Sequence, residues 1–133
     1  MYFFISHYNK IIMSLILCFL AFQNDIKLYH WMTLSYSRHK ASDKLFTELS
    51  ENVDKFVETY IGIYGRPKFT KKELTTSFTV HNDTNIIQCL DKFNNYLKKD
   101  ILDFISKDDT DLLNIRDSIV SDINQTKYLF SLN

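Results

Sequence analysis

Three observations predict an all-helical domain. Two glycines and one proline in 133 residues are too few breakers for a sheet-rich chain, which turns every eight to twelve residues or so. Apolar residues recur at helical spacing in four separate stretches. The connections between those stretches run short, long, short. That sequence of connections describes a four-helix bundle with one long crossover between helices 2 and 3. The length fits one domain, and 45% hydrophobic against 24% charged residues is enough to bury a core, which excludes disorder.

The first helix is expected near 11–33. The run from Ile11 to Phe22, preceded by Lys10, has the look of the hydrophobic part of a secretory signal. It is shorter than the roughly 18 apolar residues of a membrane span and lacks small residues ahead of a cleavage point. It also continues in phase as Ile12, Leu15, Ile16, Phe19, Phe22, Ile26 and Tyr29, so it reads as an amphipathic helix with no membrane partner. Met13 is a second candidate start. The expected organisation is therefore an N-terminal extension, 1–12, and a single bundle domain, 13–133. Met13, Leu17 and Leu20 fall off the stripe and make a second apolar face, which predicts a homo-oligomer of at least two chains.

The second helix, 37–63, carries Leu45, Leu49, Val53, Phe56 and Tyr60 inward, and Gly62, Gly65 and Pro67 stop it. The segment 66–82 has no helical stripe; it holds Thr75, Thr76, Ser77 and Thr79 and forms the long crossing. Asp83 or Thr84 is the expected cap of a third helix, 84–106, with Ile86, Leu90, Phe93, Leu97, Ile101 and Phe104 inward. A short turn at 107–110 leads to the fourth helix, 110–131, built on Leu112, Ile115, Ile119, Ile123 and Phe130.

Sixteen basic residues balance sixteen acidic ones, and no basic tail is present, so no DNA binding is expected. Cys18 and Cys89 lack any Cys-x-x-Cys partner and read as buried thiols of a reducing, cytoplasmic compartment. His7 and His81 read as surface residues.

One constellation carries chemistry. His39, Asp43, Asp54 and Glu58 form H-x3-D-x10-D-x3-E on the second helix. Residues four apart share a helix face, so His39 sits beside Asp43 and Asp54 beside Glu58. The fifteen residues from His39 to Asp54 rotate the helix by a net of about 60°, keeping both pairs on one side, but separate them by roughly 22 Å. One chain therefore cannot close the site. An antiparallel two-fold pairing of this helix with its copy can, giving two sites per dimer. Imidazole with carboxylates suits iron, manganese or zinc and is poor for copper(I). Lys40, Lys44 and Lys55 are the neighbouring cations that could instead pair with these acids.

His30-Trp31, followed by His39-x3-Asp43 and Asp54-x3-Glu58 before a glycine-containing helix end and Pro67, resembles the Dps proteins, the mini-ferritins of the ferritin-like superfamily. The phrases HWMTLSYSRHKASDKLF and LSENVDKFVETYIGIYG are also similar to uncharacterised phage and large-virus proteins with this signature. The specific resemblance covers about residues 28 to 67. The interval from His30 to His39 is three residues shorter than the family's, and the glycine usual in that turn is missing. The resemblance implies a ferritin-like bundle and an inter-subunit ferroxidase site, with His30, His39, Asp43, Asp54 and Glu58 as metal ligands. It implies iron (Fe2+/Fe3+) as the bound metal, with manganese or zinc as substitutes, and a host-cytoplasm or virion location if the chain is viral. No Glu-x-x-His occurs, which excludes an in-bundle di-iron site of the classical ferritin type. The expected function is iron binding, with ferroxidase activity or sequestration. The alternative is a non-catalytic helical interaction protein that keeps the fold without metal.

Overall fold

A computed structural model describes residues 2–69 and 78–132, with side chains from residue 12 onward. Thr75, Thr76 and Ser77 of the expected crossing, and the side chain of His7, lie outside the described residues. The elements are α1 (Tyr2–Met32), α2 (Tyr36–Tyr64), α3 (Ile86–Lys98), a 3-10 turn (Asp100–Asp103) and α4 (Thr110–Phe130), with no strand among the described residues. Helix α1 is continuous from Tyr2, so the backbone of the expected extension belongs to the same helix as the core stripe.

Contacts at the two poles of the bundle fix its topology. At one pole Tyr29 near the end of α1 donates its hydroxyl to the Asp83 carboxylate at 2.8 Å, and Arg38 near the start of α2 donates to the Asp83 carbonyl at 2.6 Å. Phe130, closing α4, lies 5.5 Å from the Tyr29 ring. At the other pole Tyr60 of α2 donates to the Phe104 carbonyl, and Tyr64 bonds Asp109 ahead of α4. Helices α2 and α3 therefore run down while α1 and α4 run up. Helix α2 packs on α1 and α4, and α3 packs on α4 and, through Phe93 on Phe19 and Phe22, on α1. Helices α2 and α3 are diagonal, so the chain crosses the bundle between them. This is an all-α four-helix bundle with one long crossover.

The core is the predicted one. Ile12, Phe19, Leu45, Leu49, Phe56, Leu90, Leu97, Ile119 and Ile123 are buried in a single cluster. The window Ile12–Met32 meets the length and hydropathy of a membrane span, wider than the run noted above, yet its apolar stripe is this bundle's core.

Local chemistry explains the ends. Ser35 caps α2 by accepting the Arg38 N–H at 3.3 Å. Gly65 closes α2 at φ 94° and ψ 166°, a region that glycine alone occupies freely, and its N–H bonds the Ile61 carbonyl. Three expectations are corrected. Asn85, not Asp83 or Thr84, is the N-cap of α3 and makes no side-chain cap bond; Asn82 holds the turn before it, its side chain accepting the N–H groups of Thr84 and Asn85, while Asp83 is turned toward Tyr29 and Thr33. Helix α3 ends at Lys98 rather than 106. Arg116 of α4 donates at 3.1 Å to the Leu97 carbonyl, the acceptor that the Ile101 N–H would have used, and the chain tightens into a 3-10 turn that still buries Ile101. Met13 is buried within the chain, so of the three residues assigned to a wet second face only Leu20 is exposed, with Leu17 half-buried.

Candidate metal centre

The turn between α1 and α2 is three residues long, and it folds the end of one helix against the start of the next. His30 and His39 meet there, with rings stacked at 3.9 Å. Each points Nδ1 at the other's backbone carbonyl at 2.8 Å. A carbonyl only accepts, so both Nδ1 atoms carry a proton, and in the neutral ring Nε2 is the nitrogen left with a lone pair. The His30 carbonyl lies in the last turn of α1, where helix carbonyls lack partners, so His39 also caps α1 from outside. Ser42, fully buried, donates to the His39 carbonyl at 3.1 Å and completes the clasp.

His30 Nε2 lies 3.9 Å from Asp43 Oδ1, and Lys27 of α1 lies 3.8 Å from the same oxygen. Spacing placed His39 beside Asp43, but among the described residues it is His30 that faces this carboxylate. His39 is turned to the α1 carbonyl instead. Lys44 pairs with Glu48, and neither Lys40 nor Lys55 pairs with Asp43, Asp54 or Glu58. Asp54 and Glu58 are exposed and have no ion pair among the described residues. Asp54 lines an outward groove of about 460 Å³ between α1 and α2, shared with Ile16, Leu20 and Glu51. The chain thus brings His30, His39 and Asp43 to one end of α2 and leaves Asp54 and Glu58 near the other.

A second cluster was not visible in the sequence. Between α1 and α3 lies a cavity of about 520 Å³, lined among others by Cys18, Asp25, His81, Cys89, Lys92 and Tyr96. Asp25, His81 and Cys89 place a carboxylate oxygen, a ring nitrogen and a thiol sulfur within 4.8 Å of one another. Asp25 Oδ1 accepts the Thr79 N–H at 2.9 Å, and its Oδ2 is 3.6 Å from His81 Nε2. That nitrogen is buried and has no hydrogen-bond partner among the described residues. Burial first, and then the Asp25 charge, pushes the Cys89 thiol up to about 12. His81 is therefore not the surface residue expected; its side chain is 15% exposed. Its burial depends on Asp25, far away in sequence, and no local pattern announces that.

The chain is thus a small all-α bundle with imidazole and carboxylate groups gathered at the α1–α2 turn. It belongs to the Family of unknown function (DUF5856), whose model matches residues 30–130. It is also similar to the "Uncharacterized 14.6 kDa protein in mobD-ri intergenic region" of Enterobacteria phage T4, at 54% identity over 41 residues. That match covers 31% of this chain and 31% of the phage protein. No solved structure matches.

Proposed function

We propose that the chain is a ferritin-like, mini-ferritin-type metal protein that binds Fe(II) as substrate at a site shared by two copies. His30, His39 and Asp43 of one copy face Asp54 and Glu58 of the other. The reading rests on the two imidazoles, whose Nδ1–H groups are both spent on backbone carbonyls, leaving Nε2 as the ligand atom of each ring, that of His30 3.9 Å from Asp43 Oδ1. That is the arrangement by which metal-binding histidines fix tautomer and direction. The donor set of neutral imidazole and carboxylates fits iron, manganese and zinc. Helix α2 runs unbroken from Tyr36 to Tyr64, which keeps the two half-sites roughly 22 Å apart, so antiparallel pairing brings unlike halves together. Crowded carboxylates repel one another until a cation enters, which ties dimer formation to metal.

Titration of the purified chain with Fe(II), followed by ultraviolet absorbance, tests this. Asp54→Ala/Glu58→Ala and His39→Ala/Asp43→Ala chains should each lose iron uptake, and an equimolar mixture should regain one site per heterodimer. A wild type that takes up no iron, manganese or zinc would sink the reading. One observation favours the non-catalytic alternative. Trp31 (64% exposed), Met32, Leu34 and Tyr36 crowd the α1–α2 end as exposed apolar surface suited to a protein partner.

A further inference from the structure

We infer that Asp25, His81 and Cys89 form a second metal site, contained within one chain and selective for a borderline-soft divalent ion such as Zn2+. Thiolate, imidazole and carboxylate are the three donor types of protein-bound zinc, at about 2.3, 2.0–2.1 and 2.0–2.2 Å respectively. A tetrahedral ion with those bonds sets its donors about 3.4–3.6 Å apart. The 3.6 Å between His81 Nε2 and Asp25 Oδ2 is within a few tenths of an ångström of the nitrogen–oxygen spacing, and with all three donors within 4.8 Å, small side-chain rotations complete the set. The second observation is the His81 nitrogen itself, a buried acceptor or donor with no hydrogen-bond partner among the described residues, 3.6 Å from the carboxylate. Buried polar atoms in folded chains are nearly always paired, and a cation supplies the missing partner. Asp25 is held in place from behind by the Thr79 N–H, the outer support that metal-binding carboxylates commonly have. Three protein ligands leave the fourth position open to the cavity. The three residues come from α1, the crossover and α3, so a bound ion staples the crossover to the bundle independently of any second copy.

Cobalt(II), a coloured stand-in for zinc, tests the site in the full-length chain. One equivalent per chain should produce a thiolate-to-cobalt charge-transfer band with the strong visible bands of four-coordinate cobalt, and excess zinc should bleach both. Cys89→Ser should remove the charge-transfer band, and His81→Gln should weaken binding at least tenfold. Cys18→Ser should change neither, although Cys18 lines the same cavity. Asp54→Ala/Glu58→Ala should leave the spectrum intact, which separates this site from the inter-chain one. A wild type without the band, or a band that survives Cys89→Ser, overturns the inference. Loss of the band in Cys18→Ser with retention in Cys89→Ser overturns it too.

Discussion

Replacing His30 and His39 by alanine, singly and together, dissects the clasp at the α1–α2 turn. His30→Ala removes one hydrogen bond of 2.8 Å to the His39 carbonyl and one face of a ring stack at 3.9 Å. The bond contributes about 1 kcal/mol net and the stack about 0.5–1.5 kcal/mol, so the single change should cost roughly 2 kcal/mol. His39→Ala removes the same kind of bond, to the His30 carbonyl, with the same stack, and should also cost roughly 2 kcal/mol. The bonds go to backbone, so each survives removal of the other side chain, and only the stack is shared. The double variant should therefore fall short of the sum by about 1 kcal/mol. Urea unfolding of all four chains, with metal chelated, reads the cycle. Additivity within about 0.5 kcal/mol would show that the rings do not interact and would refute the stack, while single variants that each cost nothing would refute the two bonds of the clasp.

Two further outcomes follow from the helix ends. Gly65→Ala meets no steric neighbour but forces a side chain into φ 94°, so it should cost about 1–3 kcal/mol, measured by thermal or urea unfolding. Asp83 is held below the ordinary carboxylate range first by the Thr33 and Tyr29 hydroxyls, against some burial, and then by the Arg38 charge. A depressed folded pKa contributes stability that is fully present above the unfolded value near 3.8 and is lost as pH falls from there through the lower folded value, so Asp83→Asn should flatten the acid limb of the stability profile below about pH 3.8.

Much of the bundle was legible because hydrophobic period and breaker residues report on one helix at a time. Helix α2 carried its stripe from Leu45 to Tyr60 and its stop at Gly65, and the structure agrees within a residue or two. What the sequence did not show comes from contacts between distant segments. The end of α3 is set by Arg116 on another helix, and Asp83 is drawn to Tyr29 instead of capping α3, whose N-cap is Asn85. Met13 sits off the stripe of its own helix, yet the folded chain covers it. At the candidate centre, the i, i+4 spacing assigned Asp43 an imidazole neighbour from its own helix. It named His39, whereas the short turn delivers His30 and diverts His39 to a carbonyl. The cluster of Asp25, His81 and Cys89 left no local pattern, since its members come from three separate segments.

Asp83 also bears on how the chain assembles. The clasp joins residues 9 apart, whereas the bond from Tyr29 to Asp83 spans 54 positions. Loop-closure entropy grows with the logarithm of that separation, which makes the longer closure about 1.6 kcal/mol dearer than the shorter one. A hairpin of α1 and α2 can thus pair from nearby contacts, while the pole that Asp83 shares with Tyr29, Thr33 and Arg38 closes only when the crossover has returned. One carboxylate receiving two hydroxyls, with a guanidinium on its own carbonyl, concentrates the reward for that late closure in a single residue. Slow steps in the folding of this bundle are therefore expected to belong to the crossover's return, and fast ones to the hairpin.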